Sequence, residues 1–232
     1  MEPQQPRPIR GFAVVPAYAW AARALVTGWR LWLPAILLAC LAGIALPFLG
    51  WLAAPLLLVV AVQNSANPNL QLRQLTYSGF FRVIVVAAPF AGFAAMYALV
   101  TFGIFMAVGL KDFPAPPPPD SGPWFLGPEF VALAIATAVF AVVLALCVFI
   151  FTYAADGRFP LPEAATLGLK AGAKNLDKTL FALVLAALPT AAGIYLRTLI
   201  PHEYARLAPL IAMPIIAFLS LTFARGYRQI SG

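Results

Sequence analysis

LWLPAILLACLAGIALPFLGWLAAPLLLVVAV, residues 31–62, runs for 32 residues without a charge. A soluble core helix of that length would need a polar face, so lipid is the natural solvent for this one. As one straight helix it would measure about 48 Å. The hydrocarbon core it would have to cross is about 30 Å thick. Near its middle stands Pro47-Phe48-Leu49-Gly50, where a proline removes a backbone donor and a glycine loosens the chain. The stretch therefore reads either as one long pass or as a helical hairpin with two short arms.

The rest of the chain decides between these. Four further apolar stretches, 83–110, 130–155, 179–200 and 207–224, each have about the length of one span. If 31–62 is a hairpin, 12 of the 15 basic residues fall on one side and only Lys111, Arg197 and Arg206 on the other. If it is a single pass, the same residues divide 7 against 8. Basic residues gather on the cytoplasmic side of membrane proteins. The expectation is an all-α, polytopic membrane bundle of about six transmembrane helices, both termini cytoplasmic, in a bacterial inner membrane. A re-entrant hairpin would give the same partition.

Composition points the same way. Of 232 residues, 62% are hydrophobic and 10% charged, against about 25% charged in a soluble domain. The mean hydropathy is +0.89. The net charge of +7 is not a nucleic-acid signature, because the bases punctuate apolar segments and do not form a patch on a soluble domain. No cleavable signal peptide is expected, and residues 1–10 read as a polar, flexible tail. Cys40 and Cys147 lie inside apolar runs and read as free, buried thiols; with one histidine, His202, they make no metal site. No cofactor is expected.

Three segments before spans carry helical periodicity. In 16–30, Tyr18, Ala22, Leu25, Trp29 and Trp32 repeat along one face and Arg23, Thr27 and Arg30 along the other. In 160–178, Leu161, Ala165, Gly168, Leu169, Gly172 and Leu176 oppose Glu163, Thr166, Lys170, Lys174 and Lys178. A weaker pattern occupies 68–82, with Leu72, Leu75, Thr76, Gly79 and Phe80 on one side. These predict interfacial amphipathic helices and a degenerate threefold repeat of one such helix followed by two spans. Arg23, Arg30, Arg73, Arg82, Lys170, Lys174 and Lys178 are the expected contacts to anionic headgroups. Trp20, Trp29, Trp32 and Trp124 are the expected aromatic anchors. Residues 111–129, with Pro114 and Pro116 to Pro119, read as a stiff external loop.

Candidate chemistry is sparse. None of the eight carboxylates falls within a predicted span, where an ionisable group would point to function. His202-Glu203 and Asp156-Gly157-Arg158 read as ordinary polar turns. Small residues at four-residue steps (Ala87, Ala91 and Ala95; Ala132 and Ala136; Ala182 and Ala186) allow close helix packing in lipid. Prolines such as Pro34, Pro55, Pro89, Pro189, Pro209 and Pro214 could frame a cavity as well as a packed core. The expected function is a non-enzymatic scaffold, accessory or lipid-interacting protein, with a membrane partner or a second copy of the chain as further partners. The alternative is a transporter or channel with a wet path along Tyr97, Thr101, Thr152 or Thr190.

Four fragments carry a resemblance: GWRLWLP at 28–34, LTYSGFFR at 75–82, ADGRFPLPEAATLGLK at 155–170 and ARGYRQI at 224–230. Together they resemble the bacterial multi-pass proteins related to the membrane domain of glycerophosphodiester phosphodiesterases. The resemblance implies a six-helix inner-membrane fold. It implies no catalytic residue, because nothing in these 232 residues matches the soluble phosphodiesterase domain.

Overall fold

The computed structural model describes residues 10–45, 50–107, 128–198 and 207–231. The expected external loop 111–129 with Trp124 lies outside them up to residue 127, its last two residues starting a helix, and most of the tail 1–10 and the turn at His202 lie outside them as well. Among the described residues the fold is all-helical, with eight α-helices and one 3₁₀ turn. These are α1 (Val14–Thr27), α2 (Trp29–Ala45), α3 (Gly50–Ala66), the turn Leu72–Gln74, α4 (Ser78–Ala107), α5 (Pro128–Asp156), α6 (Leu161–Lys174), α7 (Leu176–Thr198) and α8 (Pro209–Ser231). Three of them are long and apolar enough to cross a membrane: α4 over Ser78–Gly103, α5 over Val131–Asp156, and α8. The α1–α2 pair taken together makes a fourth.

The chain forms two compact units, Met1–Val86 with Ala145–Gly232, and Ala87–Leu144. In the first, α8 is the common partner, packing against α1, α2, α3 and α7. Its Met213, Ala217, Leu221, Ala224 and Tyr227 are buried at helical spacing. The opening stretch divides as the hairpin reading expects, into α2 and α3. They run antiparallel, since Trp32 Nε1 near the start of α2 donates to Asn64 Oδ1 near the end of α3 at 3.3 Å.

α1 meets α2 at 90° across Gly28. A Cβ at Gly28 would stand 2.7 Å from the Ala24 carbonyl oxygen and 3.2 Å from the Trp32 ring, so the elbow has no room for a larger residue. α1 buries Val14, Ala17, Ala21 and Ala24 against the protein, a different stripe from the apolar one expected to meet the interface, whose Ala22 is exposed and whose Tyr18 and Leu25 are half-buried. The reason is packing: small side chains let α1 approach α8 and α7 closely, and burying larger ones would hold the helices apart. α6 follows the same rule. It buries Ala164, Gly168, Ala171 and Gly172 and leaves Leu169 at 47% exposure. Gly168 and Gly172 lie directly on the α5 backbone at Ile150 and Leu146.

The segment 68–82 departs from expectation. It holds only the Leu72–Gln74 turn before α4 begins at Ser78. Gln63 grips this segment from α3, its Oε1 accepting from Thr76 N at 3.0 Å and its Nε2 donating to Thr76 O at 2.5 Å. Backbone groups satisfied by that side chain need no helix. The threefold repeat thus lacks its middle interfacial helix.

Residues 10–13 form an extended strap held by the C-terminal end of α8. Arg10 N donates to Ile230 O at 3.3 Å and Ala13 N to Gln229 Oε1 at 2.9 Å. Between them Phe12 is 2% exposed, lies on Gly226, and meets Phe149 edge-on at 5.8 Å. The second unit contains an aromatic stack, Phe93 and Tyr97 lying on Phe140 at 5.7 and 4.5 Å.

Candidate functional site

The charged chemistry of the first unit converges on one carboxylate. α5 ends at Asp156, and Gly157 follows with φ +75°, a left-handed conformation that glycine adopts at no steric cost. That turn sends the chain back toward α6 and leaves the Asp156 side chain 7% exposed. Tyr227 OH donates to Asp156 Oδ2 at 2.6 Å, and Arg158 Nε donates to the same oxygen. Arg228 Nη2 donates to Asp156 Oδ1 at 3.2 Å. Arg228 also reaches the end of α3, donating to Ser65 Oγ at 3.3 Å and Val62 O at 3.4 Å. Across the turn, Arg82 of α4 donates to Gly157 O at 2.9 Å and to Phe159 O. Burial works against the charge on Arg158, but its hydrogen bond to Asp156 and the nearby Tyr227 hold its pKa above the ordinary arginine value.

These contacts gather one end of the apolar helices. The end of α3, the start of α4, and the ends of α5 and α8 meet at the cluster. The same end holds the 10–13 strap and the junction between α6 and α7, where Asn175 is 1% exposed. Asn175 Oδ1 accepts from Phe12 N at 2.8 Å, and its Nδ2 donates to Ala171 O at 3.0 Å. Asn175→Ala leaves the Phe12 amide buried without an acceptor, which costs about 1–3 kcal/mol. Faster hydrogen exchange at Phe12, with the exchange of α5 unchanged, is the expected result; an unchanged Phe12 amide would mean that the strap is held without Asn175.

The expected headgroup contacts divide into two groups. Arg23, Arg30, Arg73, Lys170, Lys174 and Lys178 are exposed. Arg82 is half-buried and committed to the Gly157 and Phe159 carbonyls, so it acts inside the protein. Among the expected anchors, Trp29 is 55% exposed with the Arg30 guanidinium 5.7 Å from its ring centre. Trp20 is half-buried with Arg225 at 5.4 Å. Trp32 departs from expectation: at 1% exposure it is a core residue whose indole is turned to Asn64. A ring enclosed by protein cannot anchor in headgroups.

Of the residues expected along a transport path, Thr101 has a buried hydroxyl with no hydrogen-bond partner among the described residues, and the other three make local contacts. Thr152 and Thr190 donate to carbonyls of their own helices, Phe149 O and Ala186 O. Tyr97 pairs with Thr137 at 2.9 Å. The Asp156 cluster itself escaped the sequence reading, because its partners come from positions 65, 82, 158, 227 and 228 with no recurring spacing. The one available signal was a carboxylate where an apolar run ends, matched by arginines where two others begin and end. No family model, no curated protein and no solved structure matches this chain.

Proposed function

We propose that the chain is a six-span protein of a bacterial cytoplasmic membrane, both termini inside, serving as a non-enzymatic scaffold that binds anionic headgroups through α1 and α6. The observation that carries this is the right-angled elbow at Gly28. If α2 stands across the bilayer, α1 lies in the headgroup plane with Arg23 exposed beside it. α6 presents Lys170 and Lys174 outward, with Lys178 just beyond it on α7. The six spans are the two arms α2 and α3 with α4, α5, α7 and α8. The short arms, 17 residues each, thin the bilayer around them. The resemblance to phosphodiesterase membrane domains fits the same arrangement.

Each basic residue near an anionic surface contributes about 1 kcal/mol. The protein extracted from mixed phosphatidylcholine and phosphatidylglycerol bilayers should therefore carry a surrounding lipid pool enriched in phosphatidylglycerol. The variant R23Q/R30Q/K170Q/K174Q/K178Q should return that pool to the bulk ratio; enrichment unaffected by the five substitutions would sink the headgroup reading. Topology has its own check. With Cys40 and Cys147 removed, cysteines placed at 66–72 should label from the cytoplasmic side and those at 114–120 from the opposite side.

A further inference from the structure

The cluster around Asp156 is not electrically balanced. Three guanidinium groups, Arg82, Arg158 and Arg228, surround it, and Asp156 is the one carboxylate within ion-pairing distance of them among the described residues. The formal sum is +2. Arg82 spends its charge on two carbonyls, which satisfy its donors without neutralising it. Positive charge held at the edge of an apolar bundle, partly withdrawn from water, favours a counter-anion.

The two remaining arginines are arranged to receive one. They bind different oxygens of the same carboxylate, Arg158 on Oδ2 and Arg228 on Oδ1, so both guanidinium groups stand beside the one Asp156 side chain. Each commits Nε and Nη2 to protein acceptors, and Nη1 of each makes no hydrogen bond to the described residues. Arg158 is 53% exposed and Arg228 22% exposed, so an anion can approach from outside the bundle. Forked guanidinium donors suit phosphate oxygens. The site lies where three apolar helices, α4, α5 and α8, begin or end, the depth at which a bilayer keeps its headgroup phosphates. We propose that Arg158 and Arg228 together hold the phosphate of one anionic lipid.

This rests on the membrane placement proposed above, but not on the exposed bases of α1 and α6. The test is native mass spectrometry of the full chain released from nanodiscs of phosphatidylcholine with added phosphatidylglycerol. Wild type should retain one phosphatidylglycerol, and R158Q should retain it about tenfold less, the loss expected for a charged hydrogen bond. R158K should fall between, keeping the charge without the fork. The five-residue α1 and α6 variant should lose its enriched lipid pool yet keep the single tight lipid, which separates failure of either proposal from failure of the other. A thermal melt of R158Q matching wild type establishes that the fold is intact. Retention by R158Q equal to wild type overturns the site. A parallel arm uses pure phosphatidylcholine nanodiscs with millimolar inorganic phosphate. If phosphate there raises the melting temperature of wild type but not of R158Q, and phosphatidylglycerol is not retained, the source is free phosphate and the lipid assignment is overturned.

Discussion

Replacing Asp156 by alanine is expected to destabilise the protein by about 3 kcal/mol or more, the cost of breaking a largely buried ion pair from one side. Asp156 is 7% exposed, and Arg228, its partner from α8, is 22% exposed. Without the carboxylate, Arg228 keeps only Ser65 and Val62 as acceptors, and the buried Tyr227 loses its 2.6 Å acceptor. The Arg228 charge cannot be moved fully into water without detaching the end of α8 from α3. R158Q makes the useful contrast: Arg158 is 53% exposed, and exposed pairs contribute about 0–1 kcal/mol. Unfolding in mixed micelles should therefore rank D156A far below R158Q, with R158Q close to wild type. Equal midpoints for D156A and wild type would show that α3, α5 and α8 are joined by packing alone.

Gly172→Ala carries the second large effect, and its sign is set by a competition. Alanine in place of a helical glycine normally gains about 0.5–1 kcal/mol. At Gly172 the new Cβ would collide with the backbone of Leu146 on α5, carbonyl oxygen included, and a backbone cannot swing aside as a side chain can. Overpacking of this kind costs about 1–3 kcal/mol, so the collision outweighs the gain and the variant is less stable by about 1 kcal/mol. Gly92 and Gly103 supply the control, since among the described residues nothing lies within 4 Å of a Cβ at either. Gly92→Ala should leave the melting midpoint unchanged or slightly raised. A stabilising Gly172→Ala would mean that α6 does not lie on α5 as described.

The fold was legible where long-range physics is simple. A run of 32 uncharged residues, longer than one span requires, divides into the two apolar helices α2 and α3. Helix faces are harder to read. The periodicity in 16–30 marks the large apolar face of an interfacial helix, but it does not tell which residues pack against the protein. Here the alanines Ala17, Ala21 and Ala24 face the protein, since lipid accepts the large side chains and close approach rewards the small ones. Trp32 was mistaken for an anchor because its partner, Asn64, stands 32 residues away on the other arm. The Asp156 cluster was illegible for the same reason, as its members meet only once the separate apolar helices have assembled.

The central place of α8 bears on how the chain is made. It is translated after the other seven helices, yet α1, α2 and α3 all pack against it, and both the strap at 10–13 and the Asp156 carboxylate depend on its last two turns. Until α8 is made, Asp156 lacks two of its donors and Phe12 lacks its seat on Gly226. The arrival of α8 closes the core, the strap and the charged cluster in a single event.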